Sequence, residues 1–248
     1  MPTMRDDYAG LAGTYDALAG LPGIRSFYPE WRRALLEAAR QRGVRIGVLV
    51  DLACGTGNST IPWTRRRGWT VVGIDRSEAM LREARRKSAR VQWYRQDLTR
   101  LRLPFRGDAV TCHFDALNHV LVRRDLERVF RNVAAVLQEG GLFVFDLNTG
   151  HMLRWLSGRE KLFTVGRNVF MASNALDART GIATFRQLWF VRTGRHYQRR
   201  DVIVRERAYS DTDLRAMLRA AGLRLIQVAV QRRVEGRAAR KIYVAVKS

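Results

Sequence analysis

The sequence predicts an α/β fold: a parallel sheet with packed helices, carrying a β-rich insertion before its last helix. Three observations predict it. Short apolar runs alternate with helical patterns through the first 150 residues, as in βαβ units around a parallel sheet. The texture then becomes alternating and aromatic, which suits antiparallel strands. A capped helix and two more apolar runs close the chain. With 248 residues, 46% hydrophobic and 27% charged, the chain has ordinary globular composition and length for a sizeable core.

Residues 8–19 and 27–42 read as two helices ahead of the core. Apolar runs at 48–53, 71–75, 91–94, 109–114 and 142–146 read as five strands. Leu126, Val129, Phe130, Val133 and Leu137 fall on one helical stripe, closed by Gly140-Gly141. Phe185, Trp189 and Val191 share one strand face, and Val202 and Val204 another. With breaks at Gly166, Gly181 and Gly194, residues 163–207 read as three antiparallel strands. Ser210 caps a helix whose apolar face is Leu214, Met217, Leu218 and Ala221, stopped by Gly222. Runs at 223–230 and 242–246 supply the final strands. The chain thus divides into a helical start (1–46), an α/β core (47–150), an antiparallel insertion (151–207) and a closing helix with two strands (208–248).

Charge is the outlier. The formal net charge is +22, and only four of the 45 basic residues are lysine. The largest excess lies in 151–207, with twelve basic residues against four acidic. Such a field attracts polyanions, RNA foremost, and it equally describes a solvated arginine-rich surface. No apolar run approaches a membrane span, and Met1 to Tyr15 has no apolar stretch of the kind a signal peptide needs. Cys54 and Cys112 are too few for a disulfide framework or a cysteine metal site. A cytoplasmic chain with no membrane partner and no metal is expected.

The chemistry concentrates at Val48-Leu-Val-Asp51-Leu-Ala53-Cys54-Gly55-Thr-Gly57-Asn58, a buried strand running into a glycine-rich turn. Glycines let a backbone approach a ligand closely, and a helix N-terminus presents unpaired N–H groups. Eighteen residues after Gly57, Asp75 ends the second strand, where an acid can accept both hydroxyls of a ribose. Gln96-Asp97-Leu98 ends the third strand. All these residues lie on the carboxyl edge of the sheet, where open α/β sheets bind ligands. A dinucleotide reading needs a third glycine where Thr60 stands, and it leaves Asp51 unexplained.

The combination Asp-x-Ala-x-Gly-x-Gly, an acid ending strand two and Gln-Asp-Leu ending strand three resembles the class I S-adenosylmethionine (SAM) dependent methyltransferases. The resemblance covers roughly residues 8–150 and resumes at Ala208-Tyr209-Ser210 and Ala221-Gly222-Leu223. It implies a Rossmann-like, doubly wound, seven-stranded, mostly parallel sheet whose last strand is antiparallel. It implies SAM as cofactor, with the Ala53, Cys54, Gly55, Gly57 and Asn58 loop under the methionine part. Asp51 would orient the loop or the cofactor's ammonium, and Asp75 would hold the ribose diol. Arg76, Met80, Gln96, Asp97 and Leu98 would surround the adenine, and Phe114 would floor the pocket.

Tyr8-Ala-x-Leu-Ala-x-x-Tyr15-Asp16, followed by Tyr28-x-x-Trp31, resembles a small-molecule branch, that of glycine N-methyltransferase and the deoxyamino-sugar N-methyltransferases. This implies an N-terminal helical lid over SAM, an antiparallel insertion covering the substrate, and Tyr15 as a lid residue facing the sulfonium. Methyl transfer is an in-line displacement, and the acceptor must first lose its proton. In Cys112-His113-Phe114-Asp115-Ala-Leu-Asn118-His119, the residue His119 reads as that base or as a helix-cap histidine, with Asp115 and Asn118 as positioning groups. His113 reads as packed within the sheet. Asn148 reads as a substrate contact or a cap, and Trp189 as substrate wall or sheet core, with Trp155 beside it. No Asn-Pro-Pro-Tyr or Pro-Cys motif of nucleic-acid base methylation is present. The expectation is a monomeric or homodimeric enzyme methylating an amine or hydroxyl of a small metabolite. RNA is the alternative substrate, and a non-catalytic SAM-binding protein the alternative role.

Overall fold

A computed structural model of the chain describes residues 11–20 and 25–248. Tyr8 and the start of the predicted 8–19 helix lie outside the described residues. The main sheet has seven strands in the order β10-β11-β5-β4-β1-β2-β3. These are β1 (Val48–Leu52), β2 (Thr70–Asp75), β3 (Gln92–Arg95), β4 (Gly107–Cys112), β5 (Leu137–Asn148), β10 (Leu223–Val234) and β11 (Arg237–Lys247). β11 runs antiparallel to both neighbours, while β1 pairs in parallel with β2 and with β4. The strand order therefore reverses at β1, and a crevice opens beyond the carboxyl ends of β1 and β4.

Both faces of this sheet are covered, which is why its strands read as continuous apolar runs. On one side α4 (Arg123–Val136) packs Leu126, Val129, Phe130 and Val133 with Leu214, Met217 and Leu218 of α6 (Asp211–Ala220). On the other, α2 (Phe27–Arg42) packs Trp31, Leu35 and Ala38 against Leu49, Val71, Val144 and Val244. α3 (Glu78–Lys87) starts at Ser77, whose hydroxyl accepts the Met80 N–H. The predicted stripe ends early: α4 stops at Val136, and Leu137 already opens β5, paired with Gly107. Gly140, at φ 73°, turns the chain inside that strand rather than ending the helix.

The insertion is a separate antiparallel sheet of four strands, not three: β6 (Glu160–Val165), β7 (Asn168–Asp177), β8 (Ile182–Thr193) and β9 (His196–Arg207). Three glycine turns, Gly166, Gly181 and Gly194 at φ 61°, 69° and 61°, separate four strands. One face of this sheet buries Phe170, Trp189, Val202 and Val204 around Leu11. α1 (Ala12–Ala19) follows directly. α5 (Gly150–Leu156) joins the two sheets. Among the described residues no helix is long and apolar enough to cross a membrane.

Candidate active site

The turn after β1 is built on positive backbone angles: Ala53 at φ 50°, Gly55 at 54° and Gly57 at 82°. The glycines take this conformation freely, whereas Ala53 holds it against its own Cβ. A Cβ on Gly57 would stand 2.6 Å from the Trp93 ring, and one on Gly73 would stand 2.3 Å from it. Trp93, on β3, thus presses the loop against β2. Asp51, fully buried, accepts the Ser59 and Thr60 hydroxyls at 2.8 and 2.5 Å and the Thr111 hydroxyl at 2.7 Å. Of the two roles expected for Asp51, orienting the loop is visible in these bonds.

Asp75 accepts the Gly55 N–H on one oxygen and the Ser77 N–H on the other, both at 2.8 Å. Asp97 caps the short turn Leu98–Arg100, its Oδ1 accepting the Thr99 N–H and hydroxyl at 2.7 Å. Gln96 bonds both ways to the Arg102 backbone, so its amide closes a loop. Met80 is buried at the first turn of α3, while Arg76 and Leu98 stand half-buried at the rim. Cys54 is buried, and burial with the nearby Asp75 and Asp51 pushes its thiol well up, so it is no nucleophile.

α1 is fastened over this loop. Asp16 accepts the Thr56 hydroxyl at 2.5 Å and the Asn58 amide at 2.8 Å on one oxygen, and the Lys87 ammonium at 2.7 Å on the other. Lys87 also donates to Asn58 Oδ1 at 2.8 Å. Burial works to raise the Asp16 carboxyl, but bonds from Lys87, Thr56 and Asn58 outweigh it and hold it below the usual range. One residue earlier, burial pushes the Tyr15 phenol far above its ordinary value, and the negative charges of Asp115 and Asp75 push it further. Tyr15 therefore stands in the combined field of Asp75 and Asp115.

The segment after β4 turns sharply, with Phe114 at φ 65° and Asp115 at 51°. Asp146, at the end of β5, holds the turn by accepting the Phe114 and Asp115 N–H groups at 2.7 and 3.1 Å. Arg240, buried on β11, donates to Asp146 and to Asp115, each at 2.6 Å. Its guanidinium lies 5.0 Å from the Phe27 ring centre, 5.4 Å from Phe114 and 5.9 Å from Trp31. Burial would raise the Asp146 carboxyl, yet Arg240 holds it below the carboxylate range.

Asn148 Nδ2 donates to Asp115 Oδ2 at 3.1 Å and to Glu206 Oε2 at 3.0 Å, joining the core to β9. Glu206 is buried, and burial followed by the charge of Asp115 pushes its carboxyl well up. His119 Nδ1 lies 3.0 Å from the Arg205 carbonyl, so Nδ1 carries the proton and Nε2 is the basic nitrogen. One donor atom each from Asp115, His119 and Glu206 lies within 4.8 Å of the others. A metal cation there would compete with the guanidinium already on Asp115.

Three expectations shift. Asn118 is fully buried and spends its amide on the Asn148 and Arg207 carbonyls and the Asn148 N–H, so it ties strands together instead of facing a substrate. Trp189 is core of the second sheet, its indole N–H on Gln187, and Trp155 reaches Glu235 instead of joining it. His113 lies just past β4, not within it, stacked on Trp31 at 4.6 Å and 6°. Sequence reasoning missed Arg240, Glu206, Trp93 and Lys87. Among the described residues the buried nitrogens of His113 and Trp31 Nε1 have no hydrogen-bond partner. They border a narrow void of about 10 Å³, also lined by Tyr28, Arg32, Asn58 and Ser59.

Residues 49–141 match the methyltransferase domain family. Over nearly the whole length, the chain superposes on a SAM-dependent methyltransferase from Clostridium acetobutylicum with a TM-score of 0.83 and 26% identity, covering 96% of this chain and 98% of that one. The chain is a SAM-dependent methyltransferase with the class I fold. The methyltransferase is also 26% identical over 227 residues to a putative methyltransferase of Bacillus subtilis, covering 89% of this chain and 88% of that protein. It is 29% identical over 141 residues to a dTDP-3-amino-3,6-dideoxy-α-D-glucopyranose N,N-dimethyltransferase of Streptomyces fradiae, covering 56% and 54% of the two chains.

Proposed function

We propose that this methyltransferase methylates an amine of a small polar metabolite where α1, the turn after β4 and β9 meet. The observation that carries the reading is the cluster of Asp115, Asp146 and Glu206. Asp115 and Asp146 share the Arg240 guanidinium, while Glu206 is held by the neutral Asn148 amide, in a chain whose net charge is +22. Burial and the charge of Asp115 push the Glu206 carboxyl well up, and an ammonium group arriving beside it supplies the positive charge that favours its ionised form. A hydroxyl acceptor brings no such charge. The amino-sugar dimethyltransferase relative acts on a substrate of this kind.

SAM supplies an electrophilic methyl group on a sulfonium. The residues present fit it on two counts. Gly55 and Gly57 leave backbone without side chains at positive φ in the turn. Trp31 Nε1 and the His113 ring nitrogens, which make no hydrogen bond among the described residues, lie beside Asn58 and Ser59. On this reading the Ala53–Gly57 backbone takes the amino-acid end, with Asp51 keeping the loop in place. Asp75 holds the ribose hydroxyls, and Arg76, Met80, Asp97 and Leu98 enclose the adenine. Tyr15 and Phe114 face the sulfonium. His119 Nε2 takes the proton the amine must lose before it attacks. Asp115 and Asn148 position the amine against Glu206. Residues 1–46 then serve as lid, and 151–207 as substrate cover.

The test offers methyl-labelled SAM to dTDP-linked amino sugars, to their hydroxyl counterparts and to total RNA. Label in the amino sugars alone is expected. Label confined to RNA, or to the hydroxyl compounds, overturns the reading.

A further inference from the structure

The basic excess of residues 151–207 plays no part in the site just described, and the structure shows where some of it gathers. An open groove of about 390 Å³ runs between α5, the following turn and the tip of the β10–β11 hairpin, lined by Arg154, Trp155, Arg159 and Glu235. Trp155 organises it. Arg159 lies 4.4 Å over its ring and Lys161 lies 5.9 Å from the same ring, while the indole N–H donates to Glu235 at 3.0 Å. Arg159 is further fixed by donating to the Trp155 carbonyl at 2.6 Å.

The groove is short of negative charge. Glu235 is its one acidic lining residue, 3.8 Å from Arg159. Among the described residues none of Arg154, Lys161 and Arg232 forms an ion pair, although other arginines of this chain do. Burial and the repulsion of Arg232 and Arg159 pull the Lys161 ammonium below its ordinary value, so these cations crowd one another. Arg154 and Arg159 in the groove wall face a single carboxylate, with Lys161 beside the Trp155 ring, and such an excess of positive charge attracts an anion. Arginine's planar fork suits phosphate oxygens, and lysine adds a point charge.

We propose that this groove binds a diphosphate ester of a small molecule, a site separate from the methyl-transfer centre. The way the cations gather favours a small ligand over a nucleic-acid strand. A strand would need its cations set out along a track instead of drawn around one indole. The proposal does not depend on the nature of the methyl acceptor.

The test titrates inorganic pyrophosphate, ADP and a single-stranded oligoribonucleotide into the full chain by calorimetry, across a salt series. Three variants accompany it: Arg159→Ala/Lys161→Ala, the milder Lys161→Gln, and Arg65→Ala/Arg66→Ala, which removes the same charge from an exposed site outside the groove. SAM-induced thermal stabilisation serves as the folding control for each. Pyrophosphate and ADP affinity should fall at least tenfold in the groove double variant and severalfold in Lys161→Gln, and change less than twofold in the Arg65/Arg66 variant. Binding should weaken with salt, as released counterions demand. Equal losses in both double variants mean a diffuse field and overturn the site. Absence of pyrophosphate and ADP binding, or tight binding of the oligoribonucleotide alone, overturns it as well.

Discussion

The two sides of the crevice are built differently. On the glycine-loop side the bonds that shape the site are mostly short in sequence: Asp51 reaches Thr60 nine residues on, and Asp75 reaches Gly55 twenty residues back. On the acid-cluster side they are long. Arg240 reaches Asp146 across 94 residues and Asp115 across 125, and Asn148 reaches Glu206 across 58. The first side centres on one strand and its turn, braced by the adjoining β2, β3 and β4 and by α1. The second exists only when β4, β5, β9 and β11 have all arrived. A cradle for a constant cofactor can be local, whereas the acceptor side draws on the insertion.

Four substitutions bear on that contrast, from the largest effect to the smallest. His119→Gln should lower turnover by roughly 10²–10⁴-fold, the usual worth of a general base, with SAM affinity unchanged by calorimetry. Unaltered turnover would remove the base from the acceptor side. Arg240→Met leaves Asp115 and Asp146 without their cation, and breaking a buried pair in this way costs about 3–5 kcal/mol. Denaturant unfolding should register that loss, and a variant as stable as wild type would mean the cluster is not interlocked. Asp75→Ala should weaken SAM binding by about 100-fold and also lower stability, since the Gly55 and Ser77 N–H groups lose their acceptor at about 1–3 kcal/mol each. Lost stability with SAM affinity unchanged would make Asp75 a purely structural acid. Asp16→Asn should weaken SAM several-fold by loosening α1, and tight binding retained in the variant would deny the clamp any part in holding cofactor.

Titration separates the two sides again. Asp16 and Asp146 are held below their ordinary values, so their contribution to stability is complete above the normal carboxylate range and disappears as pH falls through their lowered values. Glu206 is pushed up, so it favours the folded state below its ordinary value and loses that advantage as pH rises towards its elevated one. Glu206→Gln should therefore raise the melting temperature at pH 8 more than at pH 5. An equal shift at both pH values would mean that Glu206 is not held protonated.

The same contrast explains what the sequence disclosed. The alternation of strands and helices and the glycine turn rest on local pattern, and each stands where residue spacing placed it, whereas the antiparallel last strand came from the methyltransferase resemblance alone. The count of strands in the insertion failed although its three turn glycines were identified, because β6 is short and mostly exposed and has little apolar pattern. Leu137 kept helical spacing yet opens β5, since burial in a strand satisfies the same apolar demand as burial in a helix. Arg240 looked like one more arginine among 45 basic residues. Only its burial beneath Phe27 and Phe114 sets it apart, and no window of sequence contains Asp115, Asp146 and Arg240 together. Asn118 and Trp189 carried types suited to a substrate but are consumed by packing and backbone bonds.

The hydrogen bond between His119 and the Arg205 carbonyl joins two functions that are usually thought of apart. β9 belongs to the sheet proposed to cover the acceptor, yet its backbone decides which imidazole nitrogen carries the proton, and its next residue, Glu206, sets the local charge. Grafting the insertion of one relative onto the core of another would then transplant the acidity profile of the reaction along with the choice of acceptor. Specificity and pH optimum would be inherited as a single trait.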